Sequence, residues 1–226
     1  MNIIRMPLYV HPARLVLPVI AMVLFIVFYV IAALNYPGGS WNDTSHVGFS
    51  FWNNYLCDLL DTYAINGSLN TGRLWSRTGL AILCAGLVYL WYHLPILFAR
   101  RGWTTKIMWI SGLLAFVSLL TLSEGTHDIS VRVAGLFGTV ALIALVVELM
   151  RYGYIRLYPL GIICIVIFLV NYGIYETGKG LRFLPVFQKV TFTLFFLWFF
   201  QINRILAKVN RQMHPLKAGG RRHKIS

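Results

Sequence analysis

Any chemistry in this chain has to come from a small set of polar side chains in an otherwise apolar sequence. The stretch 48–63, GFSFWNNYLCDLLDTY, is the densest of them. At about 100° per residue it places Asn53, Asn54, Cys57, Asp58 and Asp61 on one arc and Trp52, Tyr55, Leu56, Leu59 and Leu60 on the other. Asp58 and Asp61 offer an acid and a base for proton transfer. A second polar group, SEGTHD over 123–128, supplies Glu124, His127 and Asp128. With His127 as base and Asp58, Asp128 or Glu124 orienting it, the nucleophile would be Ser50, Cys57 or Ser123. The candidate catalytic residues are therefore Asp58, His127 and Asp128. No GxSxG frame surrounds any of these serines. The wider binding set is Asn54, Asp58, Asp61, Arg73, Arg77, Glu124, His127, Arg132, Asn171 and Glu176.

Metal chemistry asks for more than the chain offers in one place. Zinc and transition-metal sites take three or four His, Cys or carboxylate ligands. There is no HExxH, HxxxH or CxxC, and His127 and Asp128, as neighbours on a helix, point about 100° apart. His11, His93, His214 and His223 fall at the opposite end of the chain's spans. Cys57, Cys84 and Cys164 have no ligand spacing. Neither a metal nor any other cofactor is expected.

The elements that must position these residues are apolar spans. Of 226 residues, 58% are hydrophobic and 12% charged, and the mean hydropathy is +0.69. Soluble domains are nearer half apolar and a quarter charged, so the expected class is an all-α integral membrane protein in one domain, 1–226. Six transmembrane helices are expected, over 15–34, 78–99, 106–122, 129–150, 157–175 and 183–203. Each is about 20 residues, roughly 30 Å of helix. The first is long and runs into Asn35-Tyr36-Pro37-Gly38-Gly39, which favours an uncleaved span over a signal peptide. Between spans one and two lies the longest connection, 35–76. It is expected to hold a short amphipathic helix, about 48–63, resting on the outer end of the bundle.

Lys and Arg set the orientation. Fourteen of the 20 basic residues fall on the side that holds both termini, and six on the other. The termini are therefore expected in the cytoplasm, in what would be a bacterial inner membrane. Six of the seven acidic residues fall on the outer side. The net charge of +13 is then a topology signal and an attraction to anionic inner-leaflet lipid through the basic tail 204–226, not a nucleic-acid footprint. Membrane lipids are the expected partners.

Two arrangements of the outer polar residues stay open. They can pair with one another, Asp128 with Arg132 at i, i+4 and the Asn54–Asp58–Asp61 edge with Arg73 or Arg77. Or they can line an outward pocket roofed by the first loop. Arg77, Arg132, Asn171, Gln188 and Lys189 lie inside span ends, where polar groups tend to face a bundle interior or a wet cavity. Ser130, Ala134 and Gly138 form a small-residue stripe suited to close helix packing. Trp91, Trp103, Trp109 and Tyr158 near inner ends read as an aromatic belt.

The order of a first span, Tyr36-Pro37-Gly38-Gly39, Asn54, Asp58-Leu59 and Asn66-Gly67 resembles a prokaryotic family of six-helix membrane proteins classed as a domain of unknown function. It is also loosely similar to the Frag1/DRAM group, whose acidic first-loop motif goes with lipid handling. A third likeness, to ceramidase-like membrane hydrolases, implies a zinc site of three His, an Asp and a Ser, and that histidine set is missing. The function these readings lead to is a lipid-interacting membrane protein with an outward polar pocket. The alternatives are a membrane-embedded hydrolase acting on an outer-leaflet lipid and a small-solute transporter. Paired Gly/Pro-broken spans and an inverted repeat, the marks of many transporters, are not found.

Overall fold

The computed structural model describes residues 7, 9–121 and 127–219, with side chains except at 127 and 213–219. Six α-helices follow one another: α1 (Leu17–Leu34), α2 (Arg73–His93), α3 (Trp103–Leu119), α4 (His127–Arg151), α5 (Tyr158–Thr177) and α6 (Leu184–Gly219). Single 3-10 turns sit at Pro12–Val16, Cys57–Leu60, Leu94–Leu97 and Leu181–Phe183. Among the described residues there is no strand, and only two isolated bridges, Gly38 with Val47 and Tyr63 with Leu69, in the first loop. Five segments are long and apolar enough to cross a membrane: Pro12–Leu34, Arg73–Leu97, Asp128–Arg151, Tyr158–Thr177 and Leu181–Gln212. Trp103–Leu119 is a shorter apolar helix. Helices of this kind satisfy their own backbone in lipid, and the set fits an integral membrane protein.

The helices pack in chain order around a ring, each on its neighbour, with α6 returning to α1. The pairs α1–α2 and α3–α4 are the most extensive. Small residues allow this. Ser130 and Ala134 of α4 are buried, and a Cβ at Gly138 would stand 3.9 Å from Ala115 Cβ of α3. Ser130 Oγ lies 3.0 Å from Thr121 Oγ1 across the same interface.

Two of the tryptophans expected at the membrane surface are inside instead. Trp91, Trp109 and Trp198 are buried. Each indole N–H finds a carbonyl, as buried tryptophans generally do: Trp91 on Met108 O at 2.9 Å, Trp109 on Tyr92 O at 3.0 Å and Trp198 on Leu157 O at 2.9 Å. Trp91 meets Phe199 edge-on at 6.3 Å and Phe116 at 5.6 Å, so aromatic rings fill the middle of the ring of helices. Trp103 alone of the inner set is strongly exposed.

Trp91 lies flat on Gly112 of α3. A Cβ there would fall 2.0 Å from Trp91 Nε1 and 2.1 Å from Cε2. Gly112→Ala is expected to cost about 1–3 kcal/mol by overpacking, read as a lower melting temperature in detergent. Gly135→Ala is the control, because its Cβ would meet Tyr172 at an ordinary 3.6 Å. Equal melting of both variants would show that the α2–α3 approach tolerates a methyl group.

Two expectations on boundaries change. α2 ends at His93 because Pro95, in the Leu94–Leu97 turn, has no N–H to continue the ladder. The sixth helix does not stop near 203 but continues to Gly219. Its extension is fastened to the N-terminal leader. Asn203 Nδ2 donates to Leu15 O at 2.8 Å, and Asn210 both donates to Val10 O at 2.6 Å and accepts from Val10 N at 3.1 Å. Ile202, Leu206 and Asn210, spaced by four, are buried, while Arg204, Lys208 and Arg211 are exposed on the other side.

Candidate functional site

The first loop is the most elaborately bonded part of the molecule. Gly38 and Gly39 of the YPGG turn hold φ of +145° and +84°. A Cβ on either would fall within 2.5 Å of loop backbone, so only glycine fits the turn. Gly39 N donates to His46 O at 2.7 Å and Gly48 N to Pro37 O at 3.1 Å. The loop then passes over the ends of α2 and α6 and closes at Asn70.

The expected amphipathic helix over 48–63 is not formed. Only one 3-10 turn, Cys57–Leu60, interrupts an irregular path. The reason is local competition for hydrogen bonds. Asn54 Oδ1 accepts from Ser50 N at 2.8 Å, and Asp58 Oδ2 accepts from Tyr55 N at 2.9 Å. Asn and Asp side chains that bond nearby amides offer the backbone an alternative to the helix ladder. The two-faced split of the sequence is lost as well. Asn54, Asp58, Leu59 and Leu60 are buried together, while Trp52 is 65% exposed.

At the centre is a knot of buried polar groups. Asn54 Nδ2 donates to Gly39 O at 2.8 Å and to Asp58 Oδ2 at 2.9 Å. Lys189, from α6, reaches in and donates to Asn54 O at 2.7 Å and to Pro185 O at 3.0 Å. Its ammonium stands 5.1 Å from the Phe51 ring and 5.7 Å from the Phe49 ring. One residue earlier, Gln188 Oε1 accepts from Leu56 N at 2.7 Å. Asn70 gathers the other end. Its Nδ2 faces the carbonyls of Asp61 at 3.0 Å, Leu59 at 3.1 Å and Asp58 at 3.4 Å, and its Oδ1 accepts from Gly72 N at 3.0 Å. Ser76 Oγ donates to Leu59 O at 2.5 Å.

Arg73 and Arg77 do not take Asp58. Arg73 Nη1 donates to Asn70 O at 3.0 Å and Arg77 Nε to Leu60 O at 2.8 Å. They hold the loop through its carbonyls. Asp61 enters this network through its backbone carbonyl.

Burial pushes the Asp58 carboxyl up to about 6 and Asp61 adds to the rise; the bonds from Asn54 and Tyr55 N and the charge of Lys189 act in the opposite direction. The folded state therefore binds a proton more tightly than the unfolded chain, where the value is near 3.8. Stability is greatest below the unfolded value, falls as pH rises between about 4 and about 6, and is level above that. Asp58→Asn keeps an oxygen for both donors and removes the charge. We expect this variant to lose the pH 4–6 slope and to melt at or above the parent at pH 7, by on the order of 1–3 kcal/mol. A parent melting curve flat across that range would contradict the burial of an ionising Asp58. The neighbouring Cys57 thiol is pushed up to about 12, mainly by burial and then by Asp58 and Asp61. It is a protonated, unreactive thiol at neutral pH.

The other sequence candidates form a second group at the ends of α4 and α5. Arg132 Nε pairs with Glu176 Oε1 at 3.1 Å, so its ion pair runs between helices and not along α4 to Asp128. Asp128 accepts from the Tyr175 hydroxyl at 2.5 Å. Asn171 Nδ2 bonds Thr191 Oγ1, joining α5 to α6. His127 opens α4, and Glu124 and the side chain of His127 lie outside the described residues. Asp58 and Asp128 thus bond within different groups, one held by α2 and α6 and the other by α4 and α5. Among the described residues no three His, Cys, Asp or Glu side chains gather as a metal would need.

Lys189 and Asn70 carry more of this arrangement than their place in the sequence suggested. Lys189 was legible as a charge inside a span, but its partner Asn54 lies 135 positions away. No family model, curated protein or solved structure matches the chain.

Proposed function

We propose that this chain is a six-span protein of a bacterial inner membrane, with cytoplasmic termini, that interacts with lipid and performs no reaction at the first loop. The observation that carries the reading is the condition of Asn54, Asp58 and Asn70. All three are buried, and they bond the loop's backbone and one another. A reacting carboxylate needs access to substrate; these groups hold a cap in place. The polar pocket is then replaced by a plug, and ligand contact moves to the membrane-facing surface. There the structure offers an apolar groove lined by Ile162, Ile163, Val166, Ile167, Val170 and Phe187. At the other end, the exposed basic side of α6, Arg204, Lys208 and Arg211, suits anionic inner-leaflet lipid at about 1 kcal/mol per residue. The resemblance to the Frag1/DRAM group points the same way.

Lipid mass spectrometry of the purified protein and of Asp58→Asn tests this. Intact phospholipid is expected with both, in similar amounts. Cleaved lipid that accumulates with the parent and not with the variant would establish a hydrolase. Protein free of lipid in mild detergent would end the lipid reading. Orientation has its own check: a reporter active only in the cytoplasm, fused after Ser226, should be active.

A further inference from the structure

The lipid-facing surface is not uniform, and one part of it combines a groove with charge. α5 is the most outward of the spans. Only 11% of its apolar window is buried inside the protein, against 61% for α2. Five of its residues, Ile162, Ile163, Val166, Ile167 and Val170, with Phe187 of α6, line the groove. From Ile162 to Val170 the groove runs about 12 Å along the helix at 1.5 Å per residue. It begins one turn from the inner end of α5 and stops about 10 Å short of the outer end, so a chain entering from the outer side fills it only when nearly extended. Its length is an acyl-chain dimension, not a helix-length one.

The groove leads toward the α5–α6 turn. Phe187 is one helical turn from Phe183, and both are exposed. Over the Phe183 ring, 4.5 Å from its centroid, stands the Arg182 guanidinium. Lys179 is exposed in the same turn. The nearest acid in sequence, Glu176, is already paired with Arg132 at 3.1 Å. The turn therefore presents two cations at the end of α5, about 10 Å along the helix from Val170, the nearest α5 residue of the groove. The other outer cations, Arg73, Arg77 and Lys189, are turned onto loop carbonyls.

We propose that this is a seat for one anionic glycerophospholipid of the outer leaflet, its phosphate held by Lys179 and Arg182 and one acyl chain lying in the α5–α6 groove. The pairing of charge with groove selects the headgroup. Zwitterionic lipid gains the apolar contact but carries an ammonium that the two cations repel, whereas an anionic headgroup gains both. This inference rests on the lipid-interacting reading above and narrows it to one lipid class and one position.

Native mass spectrometry of the detergent-solubilised full chain, titrated with phosphatidylglycerol or phosphatidylcholine of matched chains, tests it. The parent should retain one phosphatidylglycerol at least tenfold more tightly than phosphatidylcholine, as two cations near a phosphate imply. The double variant Lys179→Ala/Arg182→Ala should lose that preference while still binding both lipids. Val166→Trp, at a position 56% exposed and so compatible with folding, should fill the groove and weaken both. Arg156→Ala, an exposed cation away from the turn and the groove, should leave the most tightly held lipid in place. A headgroup preference unchanged in Lys179→Ala/Arg182→Ala, with lipid still bound, overturns the seat and leaves the lipid-interacting reading standing. Absence of lipid from every form overturns that reading itself. A dimer in the parent that Val166→Trp splits, with lipid binding unaltered, would assign the groove to a second copy and overturn the seat.

Discussion

Asn70→Asp is expected to melt well below the parent at neutral pH, by roughly 3–5 kcal/mol of lost stability, although the two side chains have the same shape. Asn70 is fully buried, and its Nδ2 faces three carbonyls at 3.0, 3.1 and 3.4 Å. Replacing that amide nitrogen by oxygen turns three attractions into three repulsions. It also buries a carboxylate, the kind of change that costs several kcal/mol, and the neighbouring Arg73 guanidinium is already committed to the carbonyl of residue 70. Acid should reverse part of the loss, because a protonated carboxyl again donates to one carbonyl. The folded variant would bind the proton more tightly than its unfolded chain, so its stability must rise as pH falls. Melting in detergent from pH 4 to 8, with protease cleavage within 35–72 as a local readout, checks both halves. A variant as stable as the parent at pH 7 would mean that Asn70 does not close the loop.

Lys189→Met carries the second large effect, and it probes the link between loop and α6. The ammonium donates to Asn54 O and Pro185 O at 2.7 and 3.0 Å and lowers the cost of a charged Asp58. Methionine fills the stem but leaves Asn54 O without that donor and Asp58 without its nearest counter-charge. Hydrogen bonds to charged groups are worth about 1.5–3 kcal/mol, so a loss of about 2–4 kcal/mol is expected. The two residues couple through charge. In the Lys189→Met background, Asp58→Asn should gain about 1–2 kcal/mol more than it does in the parent, a non-additivity typical of neighbours. Purely additive melting shifts in the four-protein cycle would show that Asp58 and Lys189 do not sense each other.

Much of the helical plan is legible in the chain without coordinates. A run such as Leu15–Leu34 has few ways to satisfy its backbone other than a helix, and Gly178 stops α5 for a reason that belongs to that residue alone, whereas Pro95, inside the expected 78–99 span, ends α2 early. The glycines of YPGG likewise announce a turn. Legibility fails where a side chain has a choice of partners. The 48–63 stretch has helical periodicity, yet Asn54 and Asp58 bond Ser50 N and Tyr55 N, and periodicity cannot weigh those bonds against a ladder. Arg132 offered Asp128 four residues back, yet took Glu176 on the next helix. Trp91 and Trp109 looked like surface anchors because span ends were judged by position. Gly112 and the carbonyls of Met108 and Tyr92 gave them places inside.

The candidate chemical groups divide along the same line. Residue types and the asymmetry of Lys and Arg are properties of the chain, and they are enough to predict an apolar, multi-span protein with its polar residues gathered at one end. Whether those residues react, pair or simply hold the backbone depends on neighbours separated by tens of positions. Lys189 and Asn54 meet across 135 residues, and Asn210 and Val10 across 200. Such contacts arise only once the helices close their ring, because they depend on the positions of carbonyls and not on the pattern of side chains. That closure buries the Asn54–Asp58 edge against loop carbonyls and amides, and it leaves α5, unremarkable as sequence, the span least covered by its neighbours.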